Sequence, residues 1–167
     1  ARDSESPMKI LRYPVLILAL CLFTSLEALA VNRNWVGGAS TNTWSQAANW
    51  SPAGVPANGD DLTFGLSSGV PTVNDLVGLR LDHLSVGHGD TLSGNSIVLS
   101  NGILCTAIGL NVNRINLAIE LAASQSFECG EGNLSLEGEI NLNGRVLTLD
   151  PFDNLLLPGV TIIDVMA

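Results

Sequence analysis

Residues 79–149 read LRLDHLSVGHGDTLSGNSIVLSNGILCTAIGLNVNRINLAIELAASQSFECGEGNLSLEGEINLNGRVLTL, and one short unit returns throughout this stretch. In each unit, two apolar residues separated by one other residue are followed, after a gap, by a second such pair and then by Asn or Gly. Successive apolar pairs begin at Leu79, Ile97, Ile115 and Ile140, so the first three are evenly spaced and the fourth follows after a longer gap. Alternation within each unit predicts strands with one buried face, and recurrence at a nearly regular interval indicates coils that stack.

The predicted fold is therefore all-β, a right-handed parallel β-helix in which each coil covers the apolar face of its neighbour. We expect Ile97, Ile115 and Ile140 to lie in one column of this stack. No stretch shows helical periodicity over three turns, because the best candidate, residues 115–123, alternates with period two.

One local pattern favours a different all-β fold. Asn101-Gly102 and Asn143-Gly144 each lie between apolar runs, and Asn-Gly in that position is a strong signature of a tight β-hairpin. Two hairpins would produce an antiparallel β-sandwich. This alternative explains the turns but not the recurring interval.

The amino-terminal residues have the three parts of a secretory signal peptide. Lys9 and Arg12 precede an apolar run over residues 15–23, and Ala28-Leu29-Ala30 forms a cleavage site of small residues. The apolar run is shorter than the ~20 residues that a spanning helix needs. We expect a signal peptide over residues 8–30, after an upstream extension over 1–7, and a secreted or cell-surface protein with no membrane contact after cleavage.

The mature chain is predicted to have three parts. Residues 31–65 contain Trp35, Trp44 and Trp50 among Gly, Ser, Asn and Thr, which indicates a cap for the open end of the stack. Residues 66–150 are expected to form the coils. Residues 151–167 lose the pattern, so we expect an irregular end of a truncated chain and further repeats beyond it.

Charge excludes some classes of partner. Seven basic residues against sixteen acidic ones give a net charge of −9, and Lys9 is the only lysine. Such a surface repels nucleic acid and anionic lipid. The absence of any other lysine also rules out a phosphate loop with its lysine.

Two cysteines, Cys105 and Cys129, follow the leader. Their spacing is about that of one or one and a half coils, and an oxidising compartment would permit a disulfide between neighbouring turns. Two buried thiols are the other interpretation, and the sequence leaves both open.

Candidate catalytic and metal-binding groups are weak. Asp82, His83, His88 and Asp90 lack the third or fourth ligand with suitable spacing that zinc requires, and residues 58–61 lack the pattern of a calcium loop. Five glutamates are candidates for the carboxylate pair of glycoside cleavage, namely Glu120, Glu128, Glu131, Glu137 and Glu139. We predict no catalytic residue, metal or cofactor.

The tryptophans have two interpretations. Trp35, Trp44 and Trp50 could form a platform for sugar rings, with Asn49 and Asp60 as hydrogen-bonding partners. Tryptophans in a small segment poor in aliphatic residues more often form its core, and we favour the core.

Several segments together resemble secreted bacterial β-solenoid proteins with autotransporter-associated β-strand repeats. The similarity extends from Trp35 to about Leu149 and includes WVGG at 35–38, NTWSQAANW at 42–50, VPANGDDLTF at 55–64, NDL at 74–76, TLSGNSIVL at 91–99, IEL at 119–121, QSF at 125–127 and LSLEGEI at 134–140. The resemblance implies a parallel β-helix exported by a Gram-negative type of bacterium, often as the passenger of a large surface protein. The chain departs from the family in its two cysteines and in having no translocating barrel or sorting signal.

These observations predict a non-enzymatic structural or adhesive module of a bacterial cell-surface protein, with a glycan or another surface component as its partner. The alternatives are a carbohydrate-binding module and the amino-terminal part of a polysaccharide-degrading enzyme.

Overall fold

The computed structural model describes residues 29–65, 70–106, 111–130, 132–151, 155–156 and 161–164. The upstream extension and the leader up to residue 28 lie outside these residues, as do parts of the predicted irregular end. Seventeen strands and one turn of 3-10 helix, Ala47–Asn49, are present in the described part.

The strands are short and follow one another closely along the chain. In order they are β1 Asn32–Trp35, β2 Trp50–Ser51, β3 Asp61–Phe64, β4 Thr72–Asn74, β5 Leu79–Leu81, β6 Leu84–Val86, β7 Thr91–Gly94, β8 Ile97–Leu99, β9 Ile103–Cys105, β10 Val112–Asn116, β11 Ile119–Leu121, β12 Gln125–Cys129, β13 Asn133–Leu136, β14 Ile140–Asn141, β15 Leu147–Pro151, β16 Leu155–Leu156 and β17 Ile162–Ile163.

Three sheets form the walls of a β-solenoid, which confirms the predicted fold, and all their strand pairs are parallel except β1 with β2. Sheet A has the order β15-β12-β9-β6-β3-β1-β2, sheet B the order β16-β13-β10-β7-β4, and sheet C the order β17-β14-β11-β8-β5. Each coil contributes one strand to each sheet, and the chain makes about four turns. The coils are β3–β5, β6–β8, β9–β11 and β12–β14, and the last three strands continue the sheets.

The register places like residues above one another inside the stack. One column of sheet C runs through Leu79, Ile97, Ile119, Ile140 and Ile162, one residue from each successive coil. Four of these side chains are at most 4% exposed, and Ile162 at the end is 47% exposed. Each coil therefore shields the one before it, as expected for a solenoid.

The expected position of Ile115 was wrong. Ile115 lies on β10 in sheet B, between Leu92 and Leu136, and the residue between Ile97 and Ile140 is Ile119. Alternating apolar pairs occur on all three walls of a coil. Their spacing alone therefore predicts stacking but does not identify which wall a given pair occupies.

The alternative fold with Asn-Gly hairpins is wrong. Asn101-Gly102 joins β8 in sheet C to β9 in sheet A, and Asn143-Gly144 joins β14 to β15 in the same way. Gly102 and Gly144 have φ of 92° and 70°, and Asn143 has φ of 50°. A corner between walls needs the same left-handed backbone as a hairpin turn, so the dipeptide fits both.

The amino-terminal cap closes one end of sheet A. Strand β1 runs parallel to β3, while β2 runs antiparallel to β1 with Trp35 opposite Trp50. Trp35, Trp44 and Trp50 are 0–2% exposed and pack around Phe64 of the first coil, with ring centroids 5.3–5.7 Å from that ring. Aromatic burial thus supplies the core of a segment with few aliphatic residues.

Candidate functional site

The tryptophans form the core of the cap and offer no flat surface. Trp44 donates its indole N–H to Thr72 Oγ1 at 3.1 Å, and Trp50 donates to the Trp44 carbonyl at 2.9 Å. Trp35 meets Trp50 edge to face at 5.1 Å. With both polar and apolar surfaces covered, these rings are not available to stack on a sugar in this structure.

Asn49 and Asp60, the expected sugar partners, bind the protein's own chain. The buried Asn49 side chain accepts from Ala39 N at 2.7 Å and donates to the carbonyls of Thr41 and Thr43. Asp60 accepts from Val31 N, from Ala57 N and from Arg33 Nε. Both side chains therefore hold the cap together.

The Asn58 and Asp60 side chains in the turn before β3 form hydrogen bonds within the protein. Asn58 Oδ1 accepts from Arg80 N at 3.0 Å, and the Asp60 carboxylate is saturated as described. Asp61 Oδ1 is buried without a hydrogen-bond partner. In the part of the chain that the structure describes, no group of three His, Cys, Asp or Glu side chains is close enough to hold a metal ion.

The histidine cluster is dispersed by strand β6. His83 precedes this strand and His88 follows it, so the whole of β6 separates them. Asp90 is buried and accepts from Gly87 N at 3.2 Å, while Asn113 Oδ1 accepts from Asp90 N at 2.9 Å. The structure thus uses Asp90 to shape a corner between sheets A and B.

The candidate carboxylates lie on different walls. Glu128 is on the outer face of sheet A, and Glu137 binds Arg114 at 2.6 Å and Ser135 at 3.0 Å beside sheet B. Glu120 is on the outer face of sheet C, close to Glu139. Glu131 lies outside the described residues.

Glu120 and Glu139 line a shallow groove of about 230 Å³ on the outside of the solenoid. We call it the sheet C groove, and its lining residues are Ser96, Ile97, Val98, Ala118, Ile119, Glu120, Glu139 and Asn141. It crosses three coils, because Val98, Glu120 and Asn141 are register neighbours on β8, β11 and β14.

The groove is lined by both hydrogen-bonding and apolar residues. Asn143 Nδ2 donates to Glu120 Oε1 at 3.3 Å and fixes that carboxylate at the edge. Two carboxylates, one amide and the Ser96 hydroxyl offer mainly acceptors, and Val98 and Ala118 are among the apolar lining residues. This arrangement suits a ligand rich in hydroxyl or ammonium donors.

Sequence reasoning named the two glutamates but missed the groove. Val98 lies one coil before Glu120 and Asn141 lies one coil after it, and only the register reveals these coil intervals. No feature of the sequence alone identifies these neighbours of Glu120, because the groove depends on which outward residues of adjacent coils lie side by side.

The two cysteines occupy paired positions inside sheet A. Cys105 on β9 lies opposite Cys129 on β12, and both are free thiols. They are 0% and 2% exposed. The two cysteines are therefore one coil apart, the shorter of the two spacings that the sequence suggested.

No protein-family model, curated protein or solved structure matches this chain. Among the described residues, no helix is both long enough and apolar enough to cross a bilayer.

Proposed function

We propose that this protein is a non-enzymatic, exported structural or adhesive module of a bacterial cell surface, in which a β-solenoid displays its outer walls to a partner. The observation that carries the proposal is the continuous inner column from Leu79 to Ile162, which couples every coil to the next. Close packing of this kind makes a stiff scaffold. Stiffness lets outward residues keep fixed spacings without a bound cofactor.

The amino-terminal cap supports the proposed structural role, because it covers the open end of sheet A. An uncovered end of sheet A would offer unpaired backbone groups to any other chain. Here β1 and β2 cover β3, and the ion pair of Arg33 with Asp60 holds β1 against the loop before β3. The resemblance described above adds the expectation of export.

The export part is tested by producing the full chain in a Gram-negative bacterium. We expect mass spectrometry of the mature protein to show Val31 as its first residue, and osmotic shock to release it with the periplasmic fraction. A variant with Ala28→Arg and Ala30→Arg is the control, because a large charged residue blocks cleavage at small-residue sites. An uncleaved cytoplasmic product from the unchanged chain would overturn the proposal.

A carbohydrate-binding role is the second candidate, and the sheet C groove favours it. Its two carboxylates, Glu120 and Glu139, select against acidic polysaccharides and favour neutral or amino sugars. The ligand class that suits them is therefore an amino-sugar polymer, for which chitosan oligomers are a direct probe.

The test is titration of the protein with chitosan oligomers and, separately, with polygalacturonate. We expect binding of chitosan only, weaker by about tenfold in Glu120→Gln because a charge-assisted hydrogen bond is lost. Glu128→Gln is the matched control, since Glu128 is exposed on sheet A, away from the groove. Equal binding by both variants would exclude the groove as the site.

A further inference from the structure

Cys105 and Cys129 have backbone positions that suit a disulfide. They are register partners on neighbouring parallel strands, and both side chains point into the core. Neighbouring strands lie about 4.8 Å apart. Disulfides span Cα separations of roughly 4.4 to 6.8 Å, so the backbone need not move far to join them.

The two thiols also face each other. They continue an inner column that begins with Phe64 and Val86, with Cys105 and Cys129 as direct register partners. Asn113 Nδ2 donates to Cys105 Sγ at 3.3 Å, and Cys129 Sγ donates to the Gly132 carbonyl at 3.1 Å. The two thiols are therefore buried at directly paired positions of neighbouring strands.

We propose that Cys105 and Cys129 form a disulfide that joins the third coil to the fourth when the chain folds in the presence of a disulfide oxidant. One cysteine thiolate attacks the S–S bond of oxidised glutathione, forming a mixed disulfide and releasing one glutathione thiolate. The second cysteine then displaces the other glutathione. The two cysteines lose two electrons and two protons in total, and the oxidant becomes two thiols.

Folding also fixes the redox state of the pair. Both sulfur atoms are inaccessible once the coils close, and burial together with the neighbouring Cys105 raises the pKa of the Cys129 thiol to about 12. Only the thiolate attacks a disulfide, so the folded and reduced pair reacts slowly at neutral pH. The disulfide forms before the coils close. After closure, a reduced pair stays reduced and an oxidised pair stays oxidised.

Refolding under two redox conditions tests the proposal. The full chain with Cys21→Ser is refolded from urea with either reduced or oxidised glutathione, then unfolded and labelled with maleimide for mass spectrometry. We expect two labels after reducing refolding and none in the monomer after oxidative refolding. The oxidised monomer should melt roughly 5–10 °C higher, as expected for closing a loop of this length.

Two results would overturn the proposal: two labelled thiols after oxidative refolding, or an oxidised monomer that melts no higher than the reduced one. Cys105→Ser and Cys129→Ser variants should lose the effect of glutathione on melting. Because a serine in the core can disturb folding, each variant is compared with itself under both conditions.

A second pair on the same strands tests the timing. Leu104 and Glu128 are also register partners, but they lie on the outer face and are exposed. In a chain with both native cysteines replaced by serine, Leu104→Cys with Glu128→Cys should oxidise within minutes in the folded state. The native pair should stay reduced for hours under the same treatment, and equally fast oxidation of the folded native pair would contradict the locked state.

Discussion

Arg33 and Asp60 form an ion pair with a separation of 2.6 Å between Nε and Oδ2, and their side chains are only 12% and 1% exposed. The carboxylate also accepts from Val31 N and Ala57 N. One side chain thus joins the first strand of the cap to the loop that leads into the first coil. Removal of its charge leaves Arg33 without its partner in a dry environment, where such losses are large.

We expect Asp60→Asn to lower the free energy of unfolding by about 3 kcal/mol. Urea unfolding followed by circular dichroism measures this change. Glu137→Gln is the matched control, because Glu137 pairs with Arg114 at the same 2.6 Å but the side chains are 27% and 48% exposed. That substitution should cost under about 1 kcal/mol. Similar losses in the two variants would contradict the role assigned to burial.

Alanine substitution of three corner glycines would distinguish the cost of backbone strain from the cost of steric crowding. Gly78 has φ of 70° with open space around it, whereas a Cβ on Gly138 would collide with the Leu117 carbonyl. Gly102 has both problems, with φ of 92° and the Ser126 carbonyl in the path of a Cβ. Alanine at Gly78 should cost about 1–2 kcal/mol, which is the strain alone. Gly102→Ala should cost more than either of the others, as thermal melts of the three variants would show.

The contact between Asp75 and Ser45 makes the docking of the cap sensitive to acid. Desolvation acts to raise the pKa of Asp75, but hydrogen bonds from the Ser45 hydroxyl and Ser45 N hold it below its usual value of 3.8. A lowered pKa in the folded state stabilises the protein above pH 3.8, and this contribution is lost as the pH falls through the folded value.

We therefore expect Asp75→Asn to lower the urea midpoint at pH 7 and to have a smaller effect at pH 2.5. Ser45→Ala should act in the same direction. The double variant should lose less than the sum of the single losses, because both substitutions remove one interaction. Full additivity at pH 7 would show that the two residues are independent.

Tryptophan fluorescence should show whether the three indole rings are buried. Because all three rings are at most 2% exposed, we expect blue-shifted emission and weak quenching by acrylamide. Saturating chitosan should leave the spectrum unchanged even if it binds the sheet C groove, since none of the tryptophans lines that groove. Strong quenching, or a shift of the emission spectrum on addition of sugar, would show that the tryptophans are accessible to a ligand.

The sequence predicted a parallel stack of coils, but it did not predict which sheet each residue occupies. Alternation and recurrence sufficed for a parallel stack because they record burial on one face. They failed at Ile115, since the coils have unequal lengths and the same apolar alternation serves three sheets. Asn101-Gly102 wrongly indicated a hairpin, because the left-handed backbone of a corner is locally the same as that of a hairpin.

The candidate site was harder to predict than the fold. The spacing of Cys105 and Cys129 suggested neighbouring coils, and only the register shows that they are direct partners. Glu120, Glu139 and Asn141 meet only on the outer face, where no hydrophobic pattern indicates the register. An outward groove is a property of neighbouring coils, and a single coil's sequence contains no trace of it.

Strand β2 runs against the direction of every other strand in sheet A and is very short. A second molecule that tried to extend the sheet past β2 would meet a short and reversed template instead of another parallel rung. An exposed sheet edge can pair with another chain, and the two residues of β2 offer an incoming strand few backbone groups. The same strand that completes the tryptophan cluster therefore also helps to keep copies of the protein separate.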